Sequence, residues 1–213
     1  MDWTIRTTLE WTQAHFARAG EENPRLAAQL LVGQATGLSR LDLYLDYDRP
    51  LSLCERDCLR ALITRRDGGE PLQYLIGRAP FRHLELHVRP GVLIPRPETE
   101  TLVDLVLAAL PPRARVVEIG TGSGCVALAL LDELADCQVI ATDNSPEALA
   151  LARENAQLWW EGRGDADSTG GRDTGAGYKT DTGTVDLSCF LANLSLQKAP
   201  HGKTGQINRP CVR

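Results

Sequence analysis

Arg115-Val-Val-Glu-Ile-Gly-Thr-Gly-Ser-Gly-Cys125 and, a little further on, Gln138-Val-Ile-Ala-Thr-Asp143 decide the fold of this chain. Val116, Val117 and Ile119 form an apolar, β-branched run that predicts a short buried strand. Gly120, Gly122 and Gly124 then make a turn with no side chains on its tight face. Val126 to Leu131 read as an apolar helix starting from that turn, and the second apolar run ends on an acid, Asp143. In open α/β folds, a strand, glycine loop, helix, strand and acid in this order bind a nucleoside-bearing cofactor.

Glycines let backbone N–H groups come close to a ligand, and the following helix turns its positive dipole end towards an anionic group. An acid at the end of the second strand can accept hydrogen bonds from two ribose hydroxyls. The pattern is Glu118-x-Gly-x-Gly-x-Gly124, and Cys125 does not fit the Gly-x-Gly-x-x-Gly of dinucleotide binding. That favours S-adenosylmethionine over NAD, with the methionine carboxylate over the loop. The loop glycines Gly120, Gly122 and Gly124 and the acid Asp143 are the cofactor contacts this pattern predicts.

A chain of 213 residues with 43% hydrophobic content holds one or two ordinary globular domains. Its net charge of −5 leaves no basic excess to neutralise phosphates, which argues against a general nucleic-acid binder. Met1-Asp-Trp-Thr-Ile-Arg6 lacks an apolar core of signal-peptide length, and no stretch is expected to span a membrane. Six cysteines are scattered without a framework. Cys54 and Cys58 share a helix face but have no second Cys/His pair beside them, which argues against a metal site. A reduced cytoplasmic compartment is expected.

The first seventy or so residues read as short helices. Ile5, Leu9, Thr12 and Phe16 lie at helical spacing, with Gly20 as the stop. Asn23-Pro24 caps a helix with Leu26, Leu30 and Leu31 inside and Gly37 at its end. Ser39 caps a short piece through Leu45. Ser52-Leu-Cys-Glu55 is a capping box for a helix with Leu59, Leu62 and Ile63 on one side, stopped by Asp67-Gly68-Gly69. Phe81, Leu84, Leu86 and Val88 then change the period to two, and Arg89-Pro90-Gly91 predicts the turn of a hairpin that continues through Val92, Leu93 and Ile94. Pro97 opens a helix with Leu102, Leu105, Val106 and Ala109 as its buried stripe, and with Glu98 and Glu100 as first-turn acids. Ser145-Pro146 opens another, to about Gln157.

Gly69-Glu-Pro-Leu-Gln-Tyr-Leu-Ile-Gly77, Arg89-Pro-Gly-Val-Leu-Ile-Pro-Arg-Pro-Glu-Thr-Glu100, Val117-Glu-Ile-Gly-Thr-Gly-Ser-Gly124 and Ala141-Thr-Asp-Asn-Ser-Pro-Glu-Ala-Leu149 resemble successive motifs of the release factor glutamine N(5)-methyltransferase family. Their order and spacing match from Met1 to about Gln157. The resemblance implies an α/β chain with an N-terminal helical bundle, a β-hairpin linker and a Rossmann-like methyltransferase domain, incomplete here. It implies cytoplasmic methylation, with S-adenosylmethionine, of the glutamine in the Gly-Gly-Gln motif of class I peptide chain release factors. By the same resemblance the cofactor-binding residues are Gly120, Thr121, Gly122, Ser123 and Gly124, which would line the methionine part, Asp143, which would hold the ribose, and Glu118, which would lie close behind the loop. The expected divisions are 1–72 for substrate recognition, 73–97 for the hairpin linker, 98–158 for a partial methyltransferase domain and 159–213 for an aberrant tail.

The family's next motif, Asn-Pro-Pro-Tyr, does not occur in this sequence. An amide nitrogen is a poor nucleophile and must be oriented towards the methyl group, which that motif does. No catalytic residue is therefore assigned, and the chain as written is expected to be inactive. Glu161 to Val185 holds seven glycines in twenty-five residues and almost no large apolar side chain, a composition expected of disorder. Val185-Asp186-Leu187 faintly resembles the strand that precedes the missing motif, and Val185 to Leu196 is apolar enough for one short element. The pattern is the one expected if the reading frame were lost near Trp159, leaving a truncated or frameshifted homologue; a natural variant with a new tail is the alternative. Other readings are a non-catalytic partner-binding module, a Rossmann oxidoreductase that the glycine spacing disfavours, and a DNA adenine methyltransferase, which usually needs a basic face.

Overall fold

The computed structural model describes residues 3–134, 137–162 and 184–186. The chain divides into two compact units, one ending at Ile76 and the other beginning at Gly77.

The first unit is helical: α1 (Ile5–Arg18), α2 (Pro24–Thr36), α3 (Arg40–Leu45), α4 (Leu53–Asp67) and α5 (Leu72–Ile76). Local chemistry fixes the helix starts. Asn23 accepts from the Leu26 N–H ahead of Pro24, and Ser39 and Ser52 form capping boxes with Asp42 and Glu55. Ile5, Phe16, Leu31, Val32 and Leu43 are fully enclosed, with Leu59, Leu62 and Ile63 behind them. The expected inner face of α2 needs correction. Leu31 is buried, but Leu26 and Leu30 are half-exposed, and the packed side is Ala27, Ala28, Leu31, Val32 and Ala35. Small alanines face inward because α1 packs closely against that side.

The second unit opens with an antiparallel hairpin, β1 (Arg78–Phe81) and β2 (Leu84–His87), in which Phe81 pairs with Leu84. Its turn is Arg82-His83 and not the expected Arg89-Pro90-Gly91, and Val92 to Ile94 form no strand. Arg82 takes the left-handed backbone (φ 51°) that a two-residue hairpin turn requires. The Glu100 carboxylate accepts from the Arg82 N–H at 3.0 Å, and the Arg82 side chain bonds to Asp104 and Glu133. Glu100 is thus a hairpin anchor, whereas Glu98 is a solvated first-turn acid. Prolines at 90, 95 and 97 remove the N–H groups a longer second strand would need.

The chain continues with α6 (Pro97–Ala109), β3 (Arg115–Ile119), α7 (Cys125–Glu133), β4 (Gln138–Thr142), α8 (Pro146–Gly162) and β5 (Thr184–Asp186). The expected stripe on α6 is corrected: Val103 is buried and Val106 half-buried, while Leu102 and Leu105 are 51% and 65% exposed. Ala109 is exposed too. Only the Val103 side meets α7. Helix α7 carries the core, since Ala127 to Leu131 are all buried. Each such leucine contributes roughly 1.5–3 kcal/mol by burial.

Strands β3 and β4 are parallel, with Glu118 beside Ala141 and Ile119 beside Thr142. Val116 packs into the core, but Val117 and Ile119, on the opposite face, are 63% and 88% exposed, so β3 is not the buried strand expected. Among the described residues it pairs on one edge only, because the sheet order is β3-β4-β5. β5 runs antiparallel to β4, with Val185 beside Ala141. The strand expected near Val185 therefore lies on the β4 side of the sheet. Helix α8 continues past the boundary expected at 158, and the Trp159 indole N–H donates to Asp132 at 3.0 Å. Of the expected tail, 163–183 and 187–213 lie outside the described residues.

Candidate cofactor site

The glycine loop closes on the two strands it joins. The N–H groups of Gly120 and Thr121 both donate to the Thr142 carbonyl, at 2.8 and 2.9 Å, and Gly124 donates to the Thr121 carbonyl at 2.9 Å. The Thr142 hydroxyl returns a bond to the Glu118 carbonyl at 2.8 Å. Gly120, Gly122 and Gly124 have φ of 79°, 57° and 83°, the left-handed region that favours glycine. Gly124 has a second reason to be glycine. A Cβ there would stand 3.2 Å from the Ala152 Cβ, so the close approach of loop and α8 depends on it.

Asp143 lies one residue beyond β4 and does more than end a strand. Its Oδ2 accepts from the Gly122 N–H at 2.8 Å and its Oδ1 from the Ser145 N–H at 2.9 Å. The acid therefore pins the loop and starts α8, and each oxygen keeps a lone pair for a further donor. Glu118 is half-buried behind the loop and accepts from the Thr121 hydroxyl at 2.8 Å. Burial, with a smaller push from the Asp143 charge, raises its carboxyl to about 6, against the pull of Thr121 and the Ala127 N–H. Thr121 and Ser123 are buried.

Sequence reasoning missed Asn155. From α8 its side chain donates to the Ser123 carbonyl at 2.9 Å and to the His87 carbonyl at 3.0 Å, and accepts from the His87 N–H at 2.7 Å. One buried amide thus joins the loop, the hairpin and the helix. The available signal was a lone asparagine in an alanine-rich helix that must be buried on one side.

All seven predicted residues, Glu118, Gly120 to Gly124 and Asp143, gather around this one loop. Its chemistry differs from the expectation in one respect. The N–H groups of Gly120, Thr121, Gly122 and Gly124 are engaged inside the protein, so they do not present a broad anion nest. What the loop offers is acceptors: the carboxyls of Glu118 and Asp143. Such a donor-poor, acceptor-rich set suits a ligand that brings cationic groups and hydroxyls. S-adenosylmethionine, with its ammonium, sulfonium and ribose hydroxyls, fits that set.

Two parallel strands joined through a glycine loop and an apolar helix, with an acid closing the loop, define the opening of a methyltransferase domain. A profile described as a methyltransferase domain matches residues 116–193, and one described as the PrmC N-terminal domain matches residues 7–77. The chain is 45% identical over 155 residues to the release factor glutamine methyltransferase of Geobacter sulfurreducens, covering 73% of this chain and 55% of that protein. It is 41% identical over 161 residues to that of Chlorobaculum tepidum (72% and 55%), and 44% identical over 137 residues to that of Escherichia coli (64% and 50%). Over the matched residues the chain is similar to release factor glutamine methyltransferases, and its two profile matches fall in the order of a PrmC N-terminal domain followed by a methyltransferase domain. It spans about half the length of the curated relatives it matches. Among the described residues, no helix is long and apolar enough to cross a membrane.

Proposed function

We propose that residues 98–158 are the donor half of a Rossmann-like protein-(glutamine-N5) methyltransferase domain and that the loop binds S-adenosylmethionine. The single observation that carries this reading is the bond from the Gly122 N–H to Asp143, which joins loop and acid into one acceptor-lined cup beside Glu118. Asp143 would accept from the ribose hydroxyls with its remaining lone pairs, Glu118 would face the cationic methionine end, and Gly120 to Gly124, with Thr121 and Ser123 turned inward, would keep the approach open. When bound, the cofactor supplies an electrophilic methyl group on sulfur. The whole protein's substrate, on this reading, is the Gly-Gly-Gln glutamine of a class I peptide chain release factor in the cytoplasm, with residues 1–72 recognising it and 73–97 linking the two parts.

The seat for the acceptor amide is the Asn-Pro-Pro-Tyr motif, which these 213 residues do not contain. That absence favours a second reading for this chain by itself: a non-catalytic module that holds the donor and docks the partner. Photocross-linking with tritiated S-adenosylmethionine, against NADH fluorescence as the competing cofactor, tests the donor assignment. Labelling of a peptide containing Gly120 to Gly124 supports it, and NADH binding without labelling overturns it.

A further inference from the structure

The helical unit holds a hollow of about 200 Å³ bordered by α1, α2 and Tyr44 and Tyr47. That is below the roughly 300–1,000 Å³ of a typical cofactor site, and it is the scale of a single side chain. At its wall Gln29 is 4% exposed. Arg40 Nε donates to the Gln29 carbonyl oxygen at 3.1 Å, which fixes the amide so that its NH2 faces, and donates to, the Tyr44 hydroxyl. Arg25 Nη2 donates to the same hydroxyl at 2.9 Å. The Tyr44 oxygen therefore receives two N–H groups and must give its own proton elsewhere. Among the described residues nothing accepts that proton, and Arg25 has no carboxylate partner.

The rest of the rim sets the charge. Arg6 lies 5.0 Å from the centre of the Tyr47 ring and is tied to Asp48 at 3.3 Å, so its charge is already balanced. Glu10 stands on the same rim. A hollow with one available guanidinium, one O–H donor and an acid at its edge is a poor trap for phosphate or a polyanion. It suits a single carboxylate in bidentate or O–H-assisted geometry, with Glu10 free to accept from a neighbouring N–H of the same ligand.

We propose that this hollow seats one Asp or Glu side chain from an exposed segment of the protein partner, clamped by the Arg25 guanidinium and the Tyr44 O–H. The identity of that partner rests on the reading above, that it is a class I release factor; the seat itself rests on the geometry of Arg25, Gln29 and Tyr44.

The test is fluorescence anisotropy of a labelled class I release factor titrated with the full chain and its variants. Arg25→Glu should weaken binding by about tenfold or more and Arg25→Lys by a few-fold, since a lysine keeps the charge but loses the fork. Arg25 is exposed, so its variants should keep the wild-type far-UV spectrum and melting temperature. Tyr44→Phe removes the O–H and leaves the Gln29 amide short of a partner, so its fold is checked in the same way. A large excess of acetate should compete only weakly, because a free carboxylate lacks the flanking chain; full displacement by acetate would overturn the peptide assignment. Equal dissociation constants for wild type and Arg25→Glu would overturn the seat. A wild-type chain that does not bind the release factor would instead remove that partner. In that case the Arg25 Nε–H resonance on adding acetyl-Gly-Glu-Gly-amide decides: a shift retains the seat, and silence overturns it.

Discussion

The side chain of Asn155 in α8 donates to the Ser123 carbonyl at 2.9 Å, across thirty-two residues of sequence, and so fastens the glycine loop to a helix that is not its neighbour in the chain. The same amide satisfies both the N–H and the carbonyl of His87. Asn155→Ala should leave these groups buried without partners, at a cost of about 2–3 kcal/mol, with a lowered urea midpoint and weaker donor binding. An unchanged midpoint would mean that water replaces the amide and that the loop is held by β3 and β4 alone.

Two of the loop glycines should respond differently to one methyl group. Both Gly120 and Gly124 have positive φ, so alanine at either position costs about 1–2 kcal/mol of backbone strain. At Gly120 the new Cβ meets nothing within 4 Å, whereas at Gly124 it meets Ala152 at 3.2 Å. Gly124→Ala should therefore be the more destabilising in chemical denaturation, and Ala152→Gly in the same chain should recover part of the difference. Equal losses at the two positions would refute the packing role of Gly124.

These two cases mark how far the sequence is legible. Asn23-Pro24, Ser39, Ser52 with Glu55, and Pro97 predict their helix starts correctly, because a cap is decided by side chain and backbone a few residues apart. The strand, glycine loop and acid are read from the same short range. Which side of a helix is covered is another matter. Leu102 and Leu105 of α6 have the periodicity of a buried stripe, yet Val103 is the buried residue, because α7 stands on that side. Likewise the apolar look of Val117 and Ile119 says nothing about whether a neighbour covers them. The role of Asn155 and the turn at Arg82 depend on partners tens of residues distant, which no local pattern encodes.

Glu118 gives the site a pH signature. Its carboxyl is raised from 4.5 to about 6, so the fold prefers the protonated form. The contribution to stability is complete below the unfolded value, near 4.5, and is lost as pH rises through about 6, a change of roughly 1–2 kcal/mol. Glu118→Gln, which mimics the protonated acid and keeps an acceptor for Thr121, should match wild type in the acid and be the more stable above neutrality. Parallel stability curves for the two proteins from about pH 4 to about pH 8 would show that Glu118 is ionised freely in the fold.

On the proposed reading, the absence of Asn-Pro-Pro-Tyr separates donor binding from transfer. Orientation of the acceptor can supply roughly 7–11 kcal/mol of barrier reduction. Incubation of the chain with S-adenosylmethionine and a release-factor peptide containing Gly-Gly-Gln should therefore give no methylated glutamine by mass spectrometry. A methyl gain on that glutamine, abolished by Asp143→Asn, would require another acceptor seat within these residues.

Isothermal titration calorimetry of S-adenosylmethionine into the wild-type chain and into Asp143→Asn tests the donor site most directly. An asparagine cannot accept from the Gly122 and Ser145 N–H groups and from ribose together with a full carboxylate's strength. The wild type should bind, and the variant should bind about tenfold more weakly or worse, from the loss of roughly 1.5–3 kcal/mol of charge-assisted hydrogen bonding. No binding by the folded wild-type chain, or the same dissociation constant for both proteins, would contradict the assignment of Asp143 and the glycine loop to the methyl donor.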